Sequence, residues 1–465
     1  MLRTAPYSDR VRRAKRAEKG VGAMDRVDTI VVGAGIAGLT AARLLSRSGQ
    51  RVVLLEARDR LGGRVWSDRD GGGITDLGAS WIHGVTDSPV AAAAAAFGLR
   101  TVEFTVGGYQ PYSRPIAYYG PSGVRLTDDE VERFVADIGA VDAELARVVA
   151  AITPGRSYGE AVESALAAQG WGAERAERVR EYLRHRTEEQ YGVWIDELDA
   201  HGLDDDSIDG DEVVFPDGYD ALATHLATGL DVRLEHVVTS VRWSSDGVEV
   251  TTHHGVFTAN RVVVTVPIGV LKSAEFIIEP PLPEPVAGAV ARLEMNAFEK
   301  VVLRFRSKFW DDEVYGIRQQ GPSGVWWHSW YDLTALHGVP TLLTFAAGPA
   351  AQETRGWEQE KIVDSVLREL RRLYGDRVED PNCVHVTSWQ DDPYSRGSYA
   401  YMTVGSAPED HDLLATPVGG VLHLAGEATW TDDPATVNAA LRSGHRAASD
   451  VLGHPIPIED AWAAD

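Results

Sequence analysis

The sequence predicts an α/β fold in which a Rossmann-like parallel sheet is assembled from separate stretches of chain and is joined by a second, α+β domain. Three observations predict it. An apolar run at residues 30–32 is followed directly by glycines at G-x-G-x-x-G spacing and by helix formers. A second apolar run, residues 52–55, ends in an acid. After a long helical stretch, apolar strand patterns return at residues 261–271 and 421–425.

The glycine-rich loop has the features of a Rossmann-like dinucleotide site. Gly33 allows the tight turn out of the strand, Gly35 lets the backbone approach a pyrophosphate, and Gly38 lets the helix pack closely on the strand. The N–H groups and the positive dipole at the helix start favour phosphates. Glu56, at the end of the second strand, can accept hydrogen bonds from an adenosine ribose. A purely structural glycine turn is the alternative.

Composition limits the classes of function. The chain has 465 residues, enough for two domains, and a net charge of −24. Such an acidic chain is a poor partner for nucleic acid, and its long-range field favours a cationic substrate, although acidity also serves solubility alone. No metal site is predicted.

The termini and the cysteine content predict a cytoplasmic protein without a membrane partner. Cys383 is the single cysteine, so no intrachain disulfide can form. Residues 1–24 are basic and lack an apolar stretch, so we interpret them as a disordered leader or as sequence upstream of a true start at Met24. No run of about 18 apolar residues predicts a transmembrane helix. The oligomeric state is left open.

The residues after the second strand distinguish between dinucleotides. Glu56-Ala57-Arg58 and Gly62-Gly63-Arg64 together resemble the FAD-binding opening of the flavin amine oxidases. This family contains monoamine oxidases, polyamine oxidases, lysine-specific histone demethylases and L-amino-acid oxidases. The resemblance implies FAD as cofactor and an amine-oxidase (glutathione-reductase-like) architecture. It also adds Ala37 to the residues of the glycine loop that contact FAD.

The segment from Asp76 to Gly84 is similar to the part of polyamine oxidases that passes beside the flavin. Small residues at Gly78 and Ala79 allow the backbone to lie against a flat ring, although a tight turn beside a buried tryptophan is the alternative. By the resemblance, Gly78, Ala79, Ser80 and Trp81 contact FAD, and Trp81 and His83 face the substrate.

Residues 85–210 change to helical patterns, at 127–152 and 158–186 among others, and predict an inserted substrate domain. From Glu188 to Glu212 the chain has 11 acids and no lysine or arginine. Most of these acids are expected to be solvated. One or two are expected to line an entrance that attracts an amine cation, and we select Glu189 as a substrate residue.

The chain then returns to the first domain through strand patterns at 232–234, 237–243 and 248–252. By the resemblance, Val238 contacts the adenine. Lys300 starts a strand pattern and on composition alone would be a surface lysine. Its surroundings resemble the family segment whose lysine bonds through water to flavin N5, so we predict Lys300 as the catalytic lysine.

Two late segments complete the predicted flavin site. In monoamine oxidases a cysteine bonded covalently to FAD precedes the tyrosine that matches Tyr399. Here that position is Ser398, which predicts a non-covalent cofactor. Tyr399 is expected to form an aromatic wall over the substrate amine, and Trp389 is expected to pack near the ring.

The last motif resembles the family's final flavin segment. Gly426 and Glu427 end an apolar strand, and Glu427 can bond the ribityl hydroxyls. A helix begins near Thr436 and Val437, where its N–H groups face flavin N1 and O2. Thr436 stands where monoamine oxidases have a second tyrosine, and Asn438 replaces a histidine usual in polyamine oxidases.

The resemblance covers about residues 27–452 and implies a division into two domains. The FAD-binding domain comprises residues 25–84, 211–285 and 405–455, and the substrate domain comprises 85–210 and 286–404. The implied function is oxidation of an amine, chiefly a polyamine such as spermine or spermidine. Hydride passes to flavin N5, O2 is reduced to hydrogen peroxide, and the imine is hydrolysed to an aldehyde and an amine.

Other functions stay open at this stage. An L-amino-acid oxidase or a monoamine oxidase on the same fold is the main alternative. A histone demethylase is disfavoured because no long coiled-coil insertion or extra N-terminal domain is seen. A lipid or carotenoid desaturase or isomerase would need a larger apolar tunnel.

Overall fold

The computed structural model describes residues 26–70, 73–105, 115–202 and 209–463. The leader predicted at residues 1–24 lies outside the described residues, as do Asp204, Asp205 and Asp206 of the acidic run. None of the helices in the described ranges combines the length and apolar character needed to cross a bilayer.

The strands of the described residues, in chain order, are β1 (Val27–Val32), β2 (Val52–Leu55), β3 (Ser67–Asp68), β4 (Thr75–Asp76), β5 (Trp81–Ile82), β6 (Val102–Glu103), β7 (Ile116–Tyr119), β8 (Val213–Val214), β9 (Val232–Arg233), β10 (Val238–Ser244), β11 (Gly247–Thr252), β12 (Gly255–Val264), β13 (Ile277–Glu279), β14 (Leu293–Met295), β15 (Phe298–Arg304), β16 (Gly316–Gln319), β17 (Ser329–Asp332), β18 (Thr341–Ala347), β19 (Cys383–Val386), β20 (Ala400–Met402) and β21 (Leu422–Leu424).

The α-helices of the same ranges are α1 (Ile36–Arg47), α2 (Pro89–Ala96), α3 (Asp128–Ala151), α4 (Tyr158–Gln169), α5 (Ala173–Tyr191), α6 (Asp220–Leu226), α7 (Ile268–Leu271), α8 (Val286–Arg292), α9 (Thr334–His337), α10 (Pro349–Thr354), α11 (Gln359–Tyr374), α12 (Glu409–Leu414) and α13 (Val437–Leu452).

The nucleotide-binding sheet has the strand order β13-β10-β11-β12-β1-β2-β9, and β21 pairs with β12. β1 runs parallel to both of its neighbours, with Ile30 opposite Val53 and Val262. Ile30 and Val31 are fully buried, as their continuous apolar run predicts for a strand covered on both faces. Helices α1 and α13 pack against each other and against one face of this sheet. Because β12 runs parallel to both β1 and β21, the carboxyl ends of β1 and β21 lie at the same edge of the sheet.

A second sheet, of order β19-β15-β18-β17-β16-β7, carries Lys300. The sequence predicts a strand that starts at this lysine, whereas β15 begins at Phe298 and Lys300 is its third residue. Lys300 pairs with Phe345 on β18, and its backbone N–H donates to the Thr387 hydroxyl at 2.8 Å. The lysine is therefore held by neighbours on both sides.

The helices predicted after residue 127 are present, but their number differs from the prediction. The pattern at 127–152 is confirmed as α3, which begins with a capping box between Thr127 and Glu130. The pattern predicted as one helix at 158–186 is two helices, α4 and α5. The break falls at Gly170, whose φ of +65° ends α4 in a left-handed conformation. The division into FAD-binding and substrate domains stays a prediction.

Candidate active site

A large cavity opens where the two sheets meet, with a volume of about 780 Å³. Its wall is built from segments far apart in sequence: the glycine loop, the segment after β4, the end of α5, the middle of β15 and the segment before α13. The predicted site residues that line it are Gly35, Ala37, Gly62, Arg64, Gly78, Ala79, Ser80, Trp81, His83, Glu189, Lys300, Trp389, Ser398, Tyr399, Gly426, Glu427, Thr436 and Val437.

The glycines of the first loop have distinct roles. A Cβ on Gly38 would lie 1.9 Å from the carbonyl oxygen of Gly33, so this glycine is needed for packing of α1 on β1. Gly33 has φ +103°, a conformation that favours glycine. Gly35 is different. Its φ of −75° suits any residue, and a Cβ there would meet only the Gly62 carbonyl, at 3.9 Å. It faces the cavity, as expected of the glycine that a phosphate approaches.

Glu56 is buried beside this loop. One carboxylate oxygen accepts from the N–H of Ala34 at 2.6 Å and the other from the N–H of Arg58 at 2.9 Å. Burial raises the pKa of Glu56, while these two N–H donors act in the opposite direction. The carboxylate thus fixes the loop geometry, and its predicted contact with a ribose stays a prediction.

Some predicted cofactor residues lie outside the cavity wall: Gly33, Gly38, Glu56, Ala57, Arg58, Gly63 and Val238. For Arg58, an ion pair explains why the side chain does not reach the cavity. Its guanidinium forms a bidentate pair with Asp392, at 2.6 and 2.7 Å, and donates to Ser395 at 2.9 Å. Its side chain therefore ties the second strand of the sheet to the segment that carries Trp389.

Arg64 and Glu427 meet across the cavity floor. Arg64 donates to Glu427 at 2.7 Å and to the carbonyl of Ser398 at 3.0 Å. The other carboxylate oxygen of Glu427 is buried without a partner among the described residues. A buried acceptor with no donor is costly unless a ligand hydroxyl supplies one. This matches the predicted contact with ribityl hydroxyls.

Lys300 is enclosed at the cavity wall with only 8% of its surface exposed. Its ammonium donates to the carbonyls of Gly78, at 2.5 Å, and Asp76, at 3.2 Å, and to the hydroxyl of Ser80 at 2.5 Å. Burial lowers the pKa of Lys300 to about 8, although the Asp76 carboxylate opposes the shift. All three of its donors are engaged by the segment predicted to pass beside the flavin. A water-mediated contact with a bound flavin requires one donor to be released.

His83 lies at the rim of the cavity, where 51% of its side chain is exposed. Its Nδ1 is 2.5 Å from a carboxylate oxygen of Glu212, which is fully buried. The imidazole stacks against Trp81 with ring centroids 6.4 Å apart. Glu212 was missed as a functional residue in the sequence, because it reads as the last acid of a solvated run. Its orienting role depends on the pairing of β5 with β8.

Among the described acids of that run, Glu189 lines the cavity. Its side chain is 5% exposed, and its carboxylate accepts from the Tyr331 hydroxyl at 2.5 Å. Burial raises the pKa of Glu189 to about 7, and the Tyr331 hydroxyl partly offsets this effect. Tyr399 lines the same cavity, with its hydroxyl fixed on the Gln190 carbonyl at 2.9 Å. Among the other described acids of the run, Asp196, Glu197, Asp209 and Asp211 are exposed as expected, whereas Glu188, Asp199 and Glu212 are buried.

The start of α13 is confirmed close to its predicted place. Thr436 is the N-cap, and its hydroxyl accepts from the N–H of Ala439 at 3.0 Å. Thr436 and Val437 line the cavity, so the start of this helix favours negative charge there. Asn438, predicted to stand where polyamine oxidases have a histidine, lines the cavity. Its side chain accepts from Ser88 at 2.9 Å and so connects α13 to the start of α2.

Comparison with known proteins identifies the family. The family model described as flavin containing amine oxidoreductase matches residues 36–452. The chain belongs to this family. The predicted flavin cofactor is thereby confirmed, and the open face of Gly35 and the unpartnered oxygen of Glu427 fit FAD.

Two curated relatives illustrate the range of this flavin amine oxidoreductase family. The chain is 31% identical over 443 residues to polyamine oxidase 4 of Oryza sativa subsp. japonica, covering 90% of this chain and 88% of that protein. It is 32% identical over 440 residues to lysine-specific histone demethylase 1 homolog 2 of Arabidopsis thaliana, covering 91% of this chain. The match spans 58% of that demethylase.

A solved structure of wild-type putrescine oxidase bound to putrescine has a TM-score of 0.75 at 22% identity. The match covers 92% of this chain and 99% of that one. At this identity the likeness concerns the fold alone, and it confirms the predicted amine-oxidase architecture.

Acid denaturation is expected to release all flavin into solution. Ser398 lines the cavity, and its hydroxyl donates to the Phe298 carbonyl at 2.6 Å. Serine has no thiol, so this position cannot form a thioether with the flavin. The measurement is flavin absorbance in the supernatant and pellet after precipitation of the holoprotein. Yellow colour retained by the washed pellet would contradict a non-covalent cofactor.

Proposed function

We propose that the protein is an FAD-dependent amine oxidase whose substrates are amines with a second cationic group, as in polyamines. The observation that carries this proposal is the carboxylate of Glu189, whose side chain is 5% exposed, in the same cavity as Lys300 and Tyr399. A buried acid in an aromatic-walled cavity binds a cation, and the net charge of −24 attracts one over long range.

In this proposal the cofactor and the residues of the cavity have separate roles in the reaction. A bound FAD supplies the two-electron oxidation of the C–N bond to an imine, with oxygen as the final acceptor and hydrogen peroxide as product. Glu427 and Arg64 hold the cofactor's polar groups, and the start of α13 stabilises negative charge beside it. Tyr399 and Trp81 exclude water from the reacting amine. Lys300 places a cation at the cavity wall below a pH of about 8.

Glu189 gives the proposal its substrate class. Its carboxylate binds a distal ammonium while the neutral, reacting amine lies against Tyr399. A protein of the same fold is named putrescine oxidase, and a relative that the chain spans almost completely is named polyamine oxidase 4. These names support a diamine or polyamine. A cytoplasmic location stays a prediction.

A methylated lysine side chain is the second candidate substrate. Several relatives at 30–33% identity are named lysine-specific histone demethylases, although the chain spans about half their length. An α-amino acid is less suited. Its carboxylate needs a cation, and in the described residues that line the cavity Arg64 and Lys300 are already engaged by protein acceptors.

The test is hydrogen peroxide production by the purified holoprotein against a panel. The panel contains spermine, spermidine, putrescine, benzylamine, L-amino acids and a dimethyl-lysine peptide. Turnover of diamines or polyamines supports the proposal. Turnover only of amino acids, only of benzylamine or only of the peptide replaces the substrate class, and no turnover at all contradicts the oxidase function.

Glu189→Gln is expected to raise the KM for putrescine about 10- to 100-fold, because a buried charge-assisted hydrogen bond contributes roughly 1.5–3 kcal/mol. The KM for benzylamine, which lacks a second cation, should change little. The measurement is steady-state kinetics with both substrates. An equal effect on both would show that Glu189 does not bind the distal ammonium.

A further inference from the structure

A buried cluster of titratable groups lies directly behind Glu189. Helix α5 carries His185, Glu188 and Glu189 over slightly more than one turn, and His328 directly precedes β17. The Nδ1 of His328 is 3.5 Å from a carboxylate oxygen of Glu189, and its Nε2 is 3.5 Å from one of Glu188. The three side chains are 4–5% exposed. One imidazole thus lies between two carboxyl groups.

Only one of the two carboxyl groups faces the cavity. Glu189 lines it, whereas Glu188 and His328 are not among the described residues that do. His328 is held in place on both sides. Its ring stacks on His185 with centroids 3.7 Å apart and planes 1° apart, and its carbonyl accepts from the Gln319 N–H at 2.8 Å.

A metal ion is a poor explanation for this cluster. Ligand atoms of His185, Glu188 and His328 lie within 4.8 Å of one another. However, the two rings are parallel, so their lone pairs point side by side and do not converge on one tetrahedral ion.

The charges around the cluster favour a single carboxylate. Arg318 on β16 is the cation that faces it, and Arg184 acts from α5. Burial keeps the pKa values of His185 and His328 well below the usual range and raises the pKa of Glu188 well above it. Tyr331 and Ser329 on β17 donate to Glu189, which lowers its pKa. Two adjacent buried carboxylates repel each other.

We propose that His328 determines which of the two carboxyl groups carries the negative charge, and thereby makes Glu189 an anion when a doubly cationic amine binds. This inference rests on the proposed role of Glu189. A neutral imidazole has one donor and one acceptor nitrogen. With Nδ1–H directed at Glu189, Nε2 accepts from protonated Glu188, and the charge lies at the cavity wall. His328 is a positioning residue that acts through Glu189.

The opposite arrangement moves the charge into the interior. Glu189 then holds a proton directed at Nδ1, and Nε2–H faces the Glu188 carboxylate. Conversion of the first arrangement into the second transfers one proton from Glu188 to Nε2 and one proton from Nδ1 to Glu189. The total charge of the three groups is unchanged. Both 3.5 Å separations are slightly longer than the ~2.7–3.2 Å of a formed hydrogen bond. A small rotation of the Glu188 or Glu189 side chain would bring that carboxyl group within hydrogen-bond distance of His328.

The test compares two variants with opposite expected effects on the titration of Glu189. His328→Phe keeps the stacked ring on His185 but removes both nitrogens, so the Glu189 carboxylate loses its donor and its midpoint should rise by about one pH unit. Glu188→Gln removes the competing carboxyl and supplies an N–H that favours Nδ1–H towards Glu189, so the midpoint should fall. If His328 had a merely structural role, the midpoint of Glu189 would not rise in one variant and fall in the other.

The first readout is infrared titration of the holoprotein, which needs no turnover. The band of the protonated carboxyl that is absent in Glu189→Gln reports Glu189, with a wild-type midpoint near pH 7. His385→Gln on β19, away from the cavity wall, is the control and should leave the midpoint unchanged. An unchanged midpoint in both His328→Phe and Glu188→Gln would overturn the inference, and Glu188→Gln alone decides if His328→Phe does not fold.

The second readout is the ratio of KM for benzylamine to KM for putrescine against pH. The ratio cancels the ionisation of the reacting amine, which the two substrates share. In the wild type it should rise as pH passes about 7, and in His328→Phe the rise should move to higher pH. A ratio that Glu189→Gln leaves unchanged would refute the proposed substrate site, independently of the infrared result on His328.

Discussion

Lys300→Met is expected to lower the rate of oxygen consumption about 100-fold while FAD stays bound. A single positioned donor or charge in a water-excluded site contributes roughly that factor. Methionine is one heavy atom shorter than lysine and fills most of the same buried space. Removal of the buried ammonium also removes the desolvation cost that lowers the Lys300 pKa. The measurement is oxygen uptake at saturating amine, with the flavin content read from absorbance.

The pKa of Lys300 predicts how the oxygen-dependent rate changes with pH. The ammonium of Lys300 is present below its pKa of about 8 and is lost above it. The oxygen-dependent rate of the wild type should therefore fall as pH rises through about 8, and Lys300→Met should lose this step.

A matched control distinguishes chemistry from positioning, because Lys300 also holds the segment from Asp76 to Ser80. Ser80→Ala removes one of the three acceptors of Lys300 and leaves the ammonium in place. We expect it to keep most of the wild-type rate. An equal loss in both variants would mean that Lys300 only holds the segment, and an unchanged rate in Lys300→Met would remove it from the mechanism.

Gly35→Ala and Gly38→Ala should separate cofactor binding from folding at one loop. A methyl on Gly35 fits the fold without strain and should stabilise the protein without cofactor by ~0.4–1 kcal/mol. It would occupy the space that the pyrophosphate approaches, so FAD affinity should fall about 10- to 100-fold. A methyl on Gly38 collides with the Gly33 carbonyl and should cost at least ~1–3 kcal/mol of folding stability.

The measurement is thermal unfolding of each variant without cofactor, followed by FAD titration monitored by fluorescence. The two glycines are three positions apart in one motif, so each serves as the control for the other. If Gly35→Ala bound FAD as tightly as the wild type, the phosphates would not lie at this glycine.

Features that depend on neighbouring residues could be predicted from the sequence. The apolar run before Gly33 is the buried strand β1, and the helix formers after it are α1. Glu427 follows β21, and Thr436 caps α13 as its pattern indicates. Each depends on hydrophobic periodicity, backbone freedom or capping over a few residues. For the same reason the family and its flavin could be recognised before any distance was known.

The partners of the charged side chains were decided by the tertiary structure. Arg64 reaches Glu427, 363 positions away, and Arg58 is diverted from the cavity to Asp392. The acidic run was expected to be mostly solvated, with Glu189 selected for the pocket. The structure places Glu189 at the cavity wall and also buries Glu212, which orients His83 and which the sequence did not indicate. Local pattern fixes which face of an element is apolar. The packing of distant elements decides which charged side chains come close together. Because burying an unpaired charge is costly, those side chains then form ion pairs.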